Sequence, residues 1–211
     1  MIISQPWAGR TSTHEHFTWK DGVYYLSVTS DGKTGKEWCE ESFRNFYSED
    51  DKSPIIQGCA ERIIESEDFK PTRGKKYEIA ILDGWNIDKA EWCTVENIRQ
   101  EAKERGWREA TPEVACLLRK SLSDEDLSYM RANCVVVMHD PLPNFSSENG
   151  QYILTLFPGK LIEGRFGSRL IRPSLDTIFF ESEKRKISRA NGFAFIVSEE
   201  DNKNQNFEKE T

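Results

Sequence analysis

The chain has 211 residues, of which 37% are hydrophobic and 31% charged, and its formal net charge is −7. This length allows a substantial hydrophobic core, and the six tryptophans, six tyrosines and twelve phenylalanines argue against a disordered chain. No apolar run approaches the roughly 20 residues of a membrane-spanning helix, and the first residues show no secretory signal. We therefore predict a cytoplasmic protein without a membrane partner.

The net charge indicates the class of partner, and the cysteine content indicates the compartment. An acidic chain disfavours nucleic acid as the main partner, although residues 160–190 carry eight basic and four acidic side chains. The five cysteines are Cys39, Cys59, Cys93, Cys116 and Cys134. Their wide spacing, without a CxxC pair, is typical of free thiols in a reducing cytosol rather than of a disulfide framework or a zinc site.

Capping signals and apolar patterns predict the elements of the first hundred residues. A hydroxyl residue followed by a proline, or by a carboxylate three positions later, is typical of a helix start. A run of β-branched and aromatic residues indicates a strand. In chain order these signals predict a strand over 23–28, helices starting at Thr34, at Ser53 with Pro54 and at Thr94, and a strand over 77–82. The segment near 68–75 contains proline and glycine and marks a possible internal boundary.

The stretch from Thr111 to Pro143 contains two predicted helices and the predicted central strand of the sheet. The expected helix starts within it are Thr111 with Pro112, and Ser123 with Asp126. The apolar run 134–138 that follows has no polar alternation, which is typical of a strand buried on both faces. His139 and Asp140 come at the carboxyl end of this strand, where ligands tend to bind in sheets covered by helices.

Strands dominate the last third of the chain. They are expected over 152–157, 161–166, 177–180 and 193–197, with a turn at Pro158 and Gly159. Helices thus fall mainly in residues 34–131, which predicts an α+β fold with a mixed or antiparallel sheet and a buried central strand at 134–138. We predict one α+β domain over 1–198 and a disordered acidic tail over 199–211.

Six segments resemble a pattern found in a widespread family of uncharacterised bacterial proteins. They are Thr34–Trp38 (TGKEW), Asp68–Thr72 (DFKPT), Tyr77–Ala80 (YEIA), Pro112–Arg119 (PEVACLLR), Val137–Pro141 (VMHDP) and Gly192–Phe195 (GFAF). The resemblance spans roughly residues 30–197 and implies a bacterial, cytosolic protein. It implies no activity, since the family has none that could be transferred.

A thiol-dependent site is one interpretation of the central stretch. On a helical wheel of about 100° per residue, Cys116 falls between Arg119 and Lys120 and away from the apolar stripe. Neighbouring cations favour the nucleophilic thiolate. With His139 as base and Asp140 as the orienting acid, Cys116 would serve a hydrolase or transferase. The alternative is that Cys116 is inert packing in a helix covered on both sides.

Basic residues indicate a second kind of site. Arg119, Lys184, Arg185 and Lys186 could contact a phosphate group or an acidic partner surface. The alternative is a solvated loop that offsets the acidic charge of the rest of the chain. Both interpretations stay open at the level of sequence.

The three histidines allow several roles. His139 could be a general base, a ligand contact or a hydrogen-bonded residue at a strand end. His14 and His16 offer two imidazoles without an identified third ligand, so we predict no metal and no cofactor.

The absence of known catalytic and cofactor-binding motifs favours a non-catalytic protein. No Walker A, GxGxxG, HExxH or GxSxG motif occurs in the chain. We therefore expect a non-catalytic ligand-binding or protein-interaction module with an unspecified small molecule or protein as partner. The alternative is the thiol-dependent hydrolase or transferase, so the sequence leaves open whether the protein is an enzyme.

Overall fold

The computed structural model describes residues 11–13, 15–45, 55–56, 58–87, 93–147, 150–163, 169–182 and 184–201. Its helices are α1 (Gly35–Asn45), α2 (Cys59–Ile64), α3 (Val95–Glu104), α4 (Pro112–Ser121) and α5 (Asp124–Tyr129). Its strands are β1 (Thr11–Thr13), β2 (Thr18–Lys20), β3 (Val23–Asp31), β4 (Ile55–Ile56), β5 (Arg73–Asp83), β6 (Cys93–Thr94), β7 (Val135–Val137), β8 (Ser146–Ser147), β9 (Gly150–Glu163), β10 (Arg169–Phe180), β11 (Lys186–Ile187) and β12 (Gly192–Asp201). The predicted α+β class is confirmed, and the described helices all fall within 34–131.

Side-chain capping begins the helices where the sequence predicts it. The N–H of Thr34 donates to Glu37 Oε2 at 2.8 Å, and the N–H of Glu37 donates back to Thr34 Oγ1 at 3.3 Å. Ser123 and Asp126 form the same reciprocal pair at the start of α5. The Thr94 hydroxyl accepts a first-turn N–H of α3. Three predicted helix starts are thus confirmed by the bonds that cause them.

The other two predicted helix starts have different outcomes. Thr111 precedes α4 as expected, but its hydroxyl makes no capping bond, so Pro112 begins the helix without a side-chain cap. The second helix was expected at Ser53 and Pro54, which lie outside the described residues, and α2 begins only at Cys59. The intervening β4 pairs in parallel with β10 instead, so Ile56, which the helical spacing placed in the second helix, is part of a strand.

Ten of the described strands form one mixed sheet. Their order is β1-β2-β3-β5-β12-β7-β9-β10-β4, with β8 paired to β9, while β6 and β11 pair separately. Neighbours are antiparallel except for β12 with β7 and β10 with β4. β12 reaches Asp201, which pairs with Lys75 of β5. Residues 199–201, predicted to belong to a disordered tail, are therefore strand, and residues 202–211 lie outside the described residues.

The predicted turn at Pro158 and Gly159 is wrong, since both residues lie inside β9. The pairing with β10 skips from Phe157 to Lys160, so two residues of β9 face one residue of β10. Such a bulge tolerates proline, because its missing N–H removes no ladder bond there. The N–H of Gly159 donates to Asp124 Oδ2 at 2.7 Å, which gives the displaced backbone a partner.

Helices cover both faces of the sheet. Val135 and Val137 pack into a cluster shared with α1, α2, α4 and α5, and Val136 packs into a cluster shared with α3. All three valines are fully buried, which confirms the predicted strand with two covered faces. The first cluster includes residues from Phe17 to Ile196, so segments on both sides of 68–75 contribute to it.

The described helices are short, and α1 is the longest with 11 residues. None of them has the length and apolar character needed to cross a lipid bilayer.

Candidate functional site

Cys116 lies in α4, whose residues from Pro112 to Arg119 are all buried. Its side chain is 2% exposed and belongs to the hydrophobic core. Burial raises the pKa of the Cys116 thiol well above its ordinary value, and the neighbouring Cys39 and Glu113 add to the rise. The predicted thiolate is therefore wrong: the wheel assumed a solvent face, whereas α4 is enclosed over these residues.

We expect Cys116 to be among the slowest thiols to react with iodoacetamide near neutral pH, because alkylation needs an accessible thiolate. Cys59 should react first, since it is half-buried while the other four cysteines are buried. Peptide mass spectrometry over a time course measures the order, with urea-unfolded protein as the reference in which all five react alike. Fast labelling of native Cys116 would restore the thiol-enzyme hypothesis.

His139 is fully buried, and main-chain groups hold both of its ring nitrogens. The N–H of Leu154 donates to Nε2 at 3.2 Å, so Nδ1 carries the proton and donates to the carbonyl oxygen of Asp140 at 2.8 Å. Within the described residues, no hydrogen bond links the ring to Cys116 or to the Asp140 carboxylate. Of the roles that the sequence left open for His139, the structure favours the hydrogen-bonded residue at a strand end, because the ring bridges two backbone segments and no ring nitrogen is left for the predicted general base.

The stability of the fold should depend on His139 as the pH falls through the ordinary histidine pKa of 6.5. Burial lowers the pKa of His139 below its ordinary value of 6.5, so on acidification the unfolded chain binds a proton that the native ring does not. The free energy of unfolding should therefore fall below that pH, by at most about 1.4 kcal/mol per pH unit for one proton. Urea unfolding of wild type and His139→Gln at several pH values measures it. Parallel pH profiles would contradict the expectation.

β7 and its neighbour β12 part at the carboxyl end of β7. The segment 108–110 enters between them, where Arg108 pairs with Ile196 of β12 and Ala110 pairs with His139. Ligands in helix-covered sheets bind where neighbouring strands part in this way. A cavity of about 490 Å³ lies here.

Charged side chains line this cavity and are already largely paired. Arg99 Nε donates to Glu109 Oε1 at 2.9 Å, and Arg108 lies 3.5 Å from a carboxylate oxygen of Glu199. Asp140 lines the cavity as well, although the His139 ring does not. Since carboxylates match most of its cations, the cavity offers little net charge to a ligand.

The predicted basic binding residues do not share one surface. Arg119 is buried and donates to the carbonyl oxygen of Phe157 at 2.9 Å, so its predicted role as an exposed binding cation is wrong. Lys184, Arg185 and Lys186 are exposed. A solvated loop and a binding site both stay open for these three residues.

The structure describes one of the two histidines near the N-terminus. His14 lies outside the described residues, and His16 Nδ1 lies 2.8 Å from Asp126 Oδ2. Among the residues that the structure describes, no group of three or more possible metal ligands comes together.

A second hollow was not predicted from the sequence. This aromatic cleft, of about 510 Å³, is lined by Trp19, Tyr24, Asp83, Trp85, Asn86, Tyr129, Met130 and Arg131. Trp85 is 61% exposed and Tyr129 50% exposed, and in the described part of the chain they are the only exposed large hydrophobic side chains. Exposed aromatic rings beside polar groups are typical of binding surfaces.

One wall of the aromatic cleft is built by a close backbone approach. The hairpin turn before β3 has φ angles of 50° at Asp21 and 82° at Gly22. A Cβ atom on Gly22 would lie 2.5 Å from Asn86 Cγ, so a side chain here would both strain the left-handed backbone and displace the Asn86 side chain of the 3-10 helix over Gly84–Asn86. Asn86 Nδ2 donates to Gly22 O at 3.3 Å and to Asp83 Oδ2 at 3.2 Å. The polar groups of this wall are therefore held in place.

The two exposed rings are supported from behind. The Arg189 guanidinium lies 5.8 Å from the centre of the Trp85 ring and donates to the carbonyl oxygen of Ile87 at 2.8 Å. The Tyr129 ring lies 5.6 Å from the ring of Phe17, which is buried. Trp85 thus keeps one face against Arg189, Tyr129 is held by its contact with Phe17, and both residues remain exposed to solvent.

The titratable groups of the aromatic cleft are shifted by burial. Burial raises the pKa of Asp83, against the opposing effects of the Trp85 N–H, Arg131 and Arg189. Burial, reinforced by the Asp83 carboxylate, raises the pKa of Tyr24 to about 12, so its hydroxyl stays protonated at neutral pH. The cleft therefore combines one acid, one amide, two phenols and one guanidinium with its apolar walls.

Arg131 occupies an unusual backbone position. It follows α5 with φ of 53°, a left-handed conformation in which glycine is favoured over side-chain-bearing residues. Within the described chain its guanidinium makes no hydrogen bond or ion pair. The guanidinium lines the cleft and its charge acts on the Asp83 carboxylate, which indicates a role for this side chain in the cleft.

The sequence assigns no role to Asp83 or Tyr129, because they lie in separate segments of the chain. The available signal was Trp85, a large apolar residue placed directly after the Asp83-Gly84 turn. Its partners from elsewhere in the chain come from two other segments, near residues 20 and 130, so their meeting depends on the fold.

Comparison of the chain with models of known protein families, with curated proteins and with solved structures gave no match. The resemblance to a family of uncharacterised bacterial proteins stays a prediction.

Proposed function

We propose that this protein is a non-catalytic ligand-binding module and that the aromatic cleft is its ligand site. The observation that carries the proposal is the meeting of Trp85 and Tyr129, the exposed large aromatic residues of the described chain, with Asp83, Asn86 and Arg131. Apolar walls with a few fixed polar groups are the usual composition of small-molecule sites.

The contacts of the predicted catalytic residues support binding over catalysis. Cys116 is enclosed in the core, and both nitrogens of the His139 ring are engaged by the backbone. In the cleft itself, both carboxylate oxygens of Asp83 already accept structural hydrogen bonds, from Trp85 and from Asn86. The Asp83 carboxylate therefore fixes the positions of Trp85 and Asn86 in the cleft, which suits ligand binding.

A cytoplasmic location and a bacterial origin belong to the same proposal. All five cysteines are free, which supports a reducing compartment. The bacterial origin rests on the sequence resemblance alone.

A thermal-shift panel of metabolites and nucleotides tests the proposal on the intact chain. A ligand at about 100 times its Kd stabilises the native state by about 2.7 kcal/mol. For a chain of this size, that raises Tm by about 5–10 °C. Trp85→Ala should lose the shift, and Lys103→Ala, in the cavity near β7, should keep it. Shifts that survive Trp85→Ala, or no binder in the panel and none in a lysate pull-down, would contradict the proposal.

Arg131→Gly should separate stability from binding. Glycine relieves the left-handed backbone at this position, so the free energy of unfolding should rise by about 0.5–1 kcal/mol. The same variant should bind the panel ligand more weakly, because the guanidinium is gone. Urea unfolding and titration measure the two effects. A variant that is less stable and binds equally well would assign Arg131 a purely structural role.

A further inference from the structure

The charges lining the aromatic cleft cancel. Asp83 brings one negative charge and Arg131 one positive charge, and the other lining residues are uncharged. A phosphate or carboxylate ligand would meet the Asp83 carboxylate and the acidic chain as a whole. A quaternary ammonium ligand would meet Arg131 in the cleft and Arg189 behind the Trp85 ring. The charge distribution therefore favours an uncharged ligand.

The walls favour a ligand with a flat apolar face. Trp85 and Tyr129 offer exposed ring surface, whose faces carry the negative end of the aromatic quadrupole. The axial C–H groups on one face of a sugar ring are weakly positive, so they pack favourably on such a surface. A ligand of this kind buries apolar area without requiring a charge.

The polar groups favour hydroxyls at the ligand edge. The Asp83 carboxylate accepts one bond from Trp85 and one from Asn86, and a carboxylate has about four acceptor sites. Asn86 donates its amide N–H groups to Gly22 and Asp83, and its side-chain carbonyl oxygen can accept a hydrogen bond from a ligand. Arg131 supplies donors. An acceptor pair facing a donor group suits neighbouring hydroxyls, which both donate and accept.

We infer that the aromatic cleft, in its proposed function as a ligand site, binds an uncharged saccharide ring stacked on Trp85, the more exposed of the two rings, with its hydroxyls on Asp83, Asn86 and Arg131. The inference rests on the proposed function and adds the class of ligand. It commits the cleft to a polyhydroxylated ring rather than to a nucleotide or a cation.

Titration of the full chain tests the inference. The probes are maltotriose, cellotriose, xylotriose and diacetylchitobiose, with adenosine, AMP and choline as the competing classes. The readouts are tryptophan emission and saturation-transfer NMR, and one or more saccharides should bind saturably. Trp85→Ala should weaken that binding by about tenfold or more. Trp85→Phe, which keeps a ring, should retain most of it, and Lys103→Ala should bind like wild type.

The outcomes separate this inference from the proposed function. Binding of adenosine, AMP or choline in place of saccharides, lost in Trp85→Ala, would overturn the saccharide inference and leave the ligand site standing. Saccharide binding that is equal in wild type and a folded Trp85→Ala variant would overturn the assignment to this cleft. Failure of every saccharide to bind would overturn the inference, and a negative thermal-shift panel besides would overturn both.

Discussion

Glu113→Met is expected to lower the free energy of unfolding by about 3–5 kcal/mol. Glu113 is 1% exposed, and its carboxylate accepts three hydrogen bonds. The N–H and hydroxyl of Thr72 donate at 2.9 and 2.7 Å, and the Tyr77 hydroxyl donates at 3.1 Å. Methionine keeps the volume but leaves the Thr72 N–H without an acceptor and leaves the Thr72 and Tyr77 hydroxyls with only each other, 3.0 Å apart. Each buried donor left unpaired costs about 1–3 kcal/mol.

Urea unfolding with a position-matched control measures this loss. Glu96 is also the second residue of its helix, but it is exposed, so it shares only the favourable position near the helix N-terminus. Glu96→Met should cost less than about 1 kcal/mol. Glu113→Gln, which keeps one acceptor oxygen, should fall between the two. Equal losses in Glu113→Met and Glu96→Met would show that the buried bonds contribute nothing beyond the helix dipole.

Arg119→Met should cost about 3–4 kcal/mol for the opposite reason, the loss of donors. The buried guanidinium donates to the carbonyl oxygens of Phe157 and Leu122 and lies 3.5 Å from Asp124. Burial lowers the pKa of Arg119 to about 10, so it is still charged at neutral pH. Methionine would leave both carbonyl groups and the Asp124 carboxylate without this partner.

Lys120→Met is the neighbouring control for Arg119→Met. Lys120 is exposed, and its ammonium lies 3.2 Å from Asp31. Exposed ion pairs contribute about 0–1 kcal/mol, so the free energy of unfolding should barely change. A loss in Arg119→Met no larger than in Lys120→Met would mean that the α4–β9 contact does not depend on the guanidinium.

Features that depend on nearby residues were predictable. The bonds between Thr34 and Glu37, and between Ser123 and Asp126, span three positions, so the sequence alone contains both partners. The apolar composition of residues 134–138 likewise predicts that the strand is buried on both faces. The turn expected at Pro158 and Gly159 failed because the partners of the bulge, Asp124 and Arg119, come from more than 30 positions earlier in the chain.

The candidate site was less predictable for the same reason. A helical wheel gives the angle of Cys116 around α4, but it does not show that neighbouring elements enclose α4 on every side. The position of His139 after β7 was right, yet its partner Leu154 becomes a neighbour only through the pairing of β7 with β9. The aromatic cleft joins residues near 20, 85 and 130, which meet only in the folded sheet.

The position of β12 has a consequence for biosynthesis. This strand comes last among the described strands, yet it lies between β5 and β7 in the sheet. A nascent chain that still lacks residues 192–201 presents two apolar strand edges without their shared neighbour. Unpaired edges of this kind recruit other chains, so the ribosome must release this segment before the fold can protect itself from aggregation.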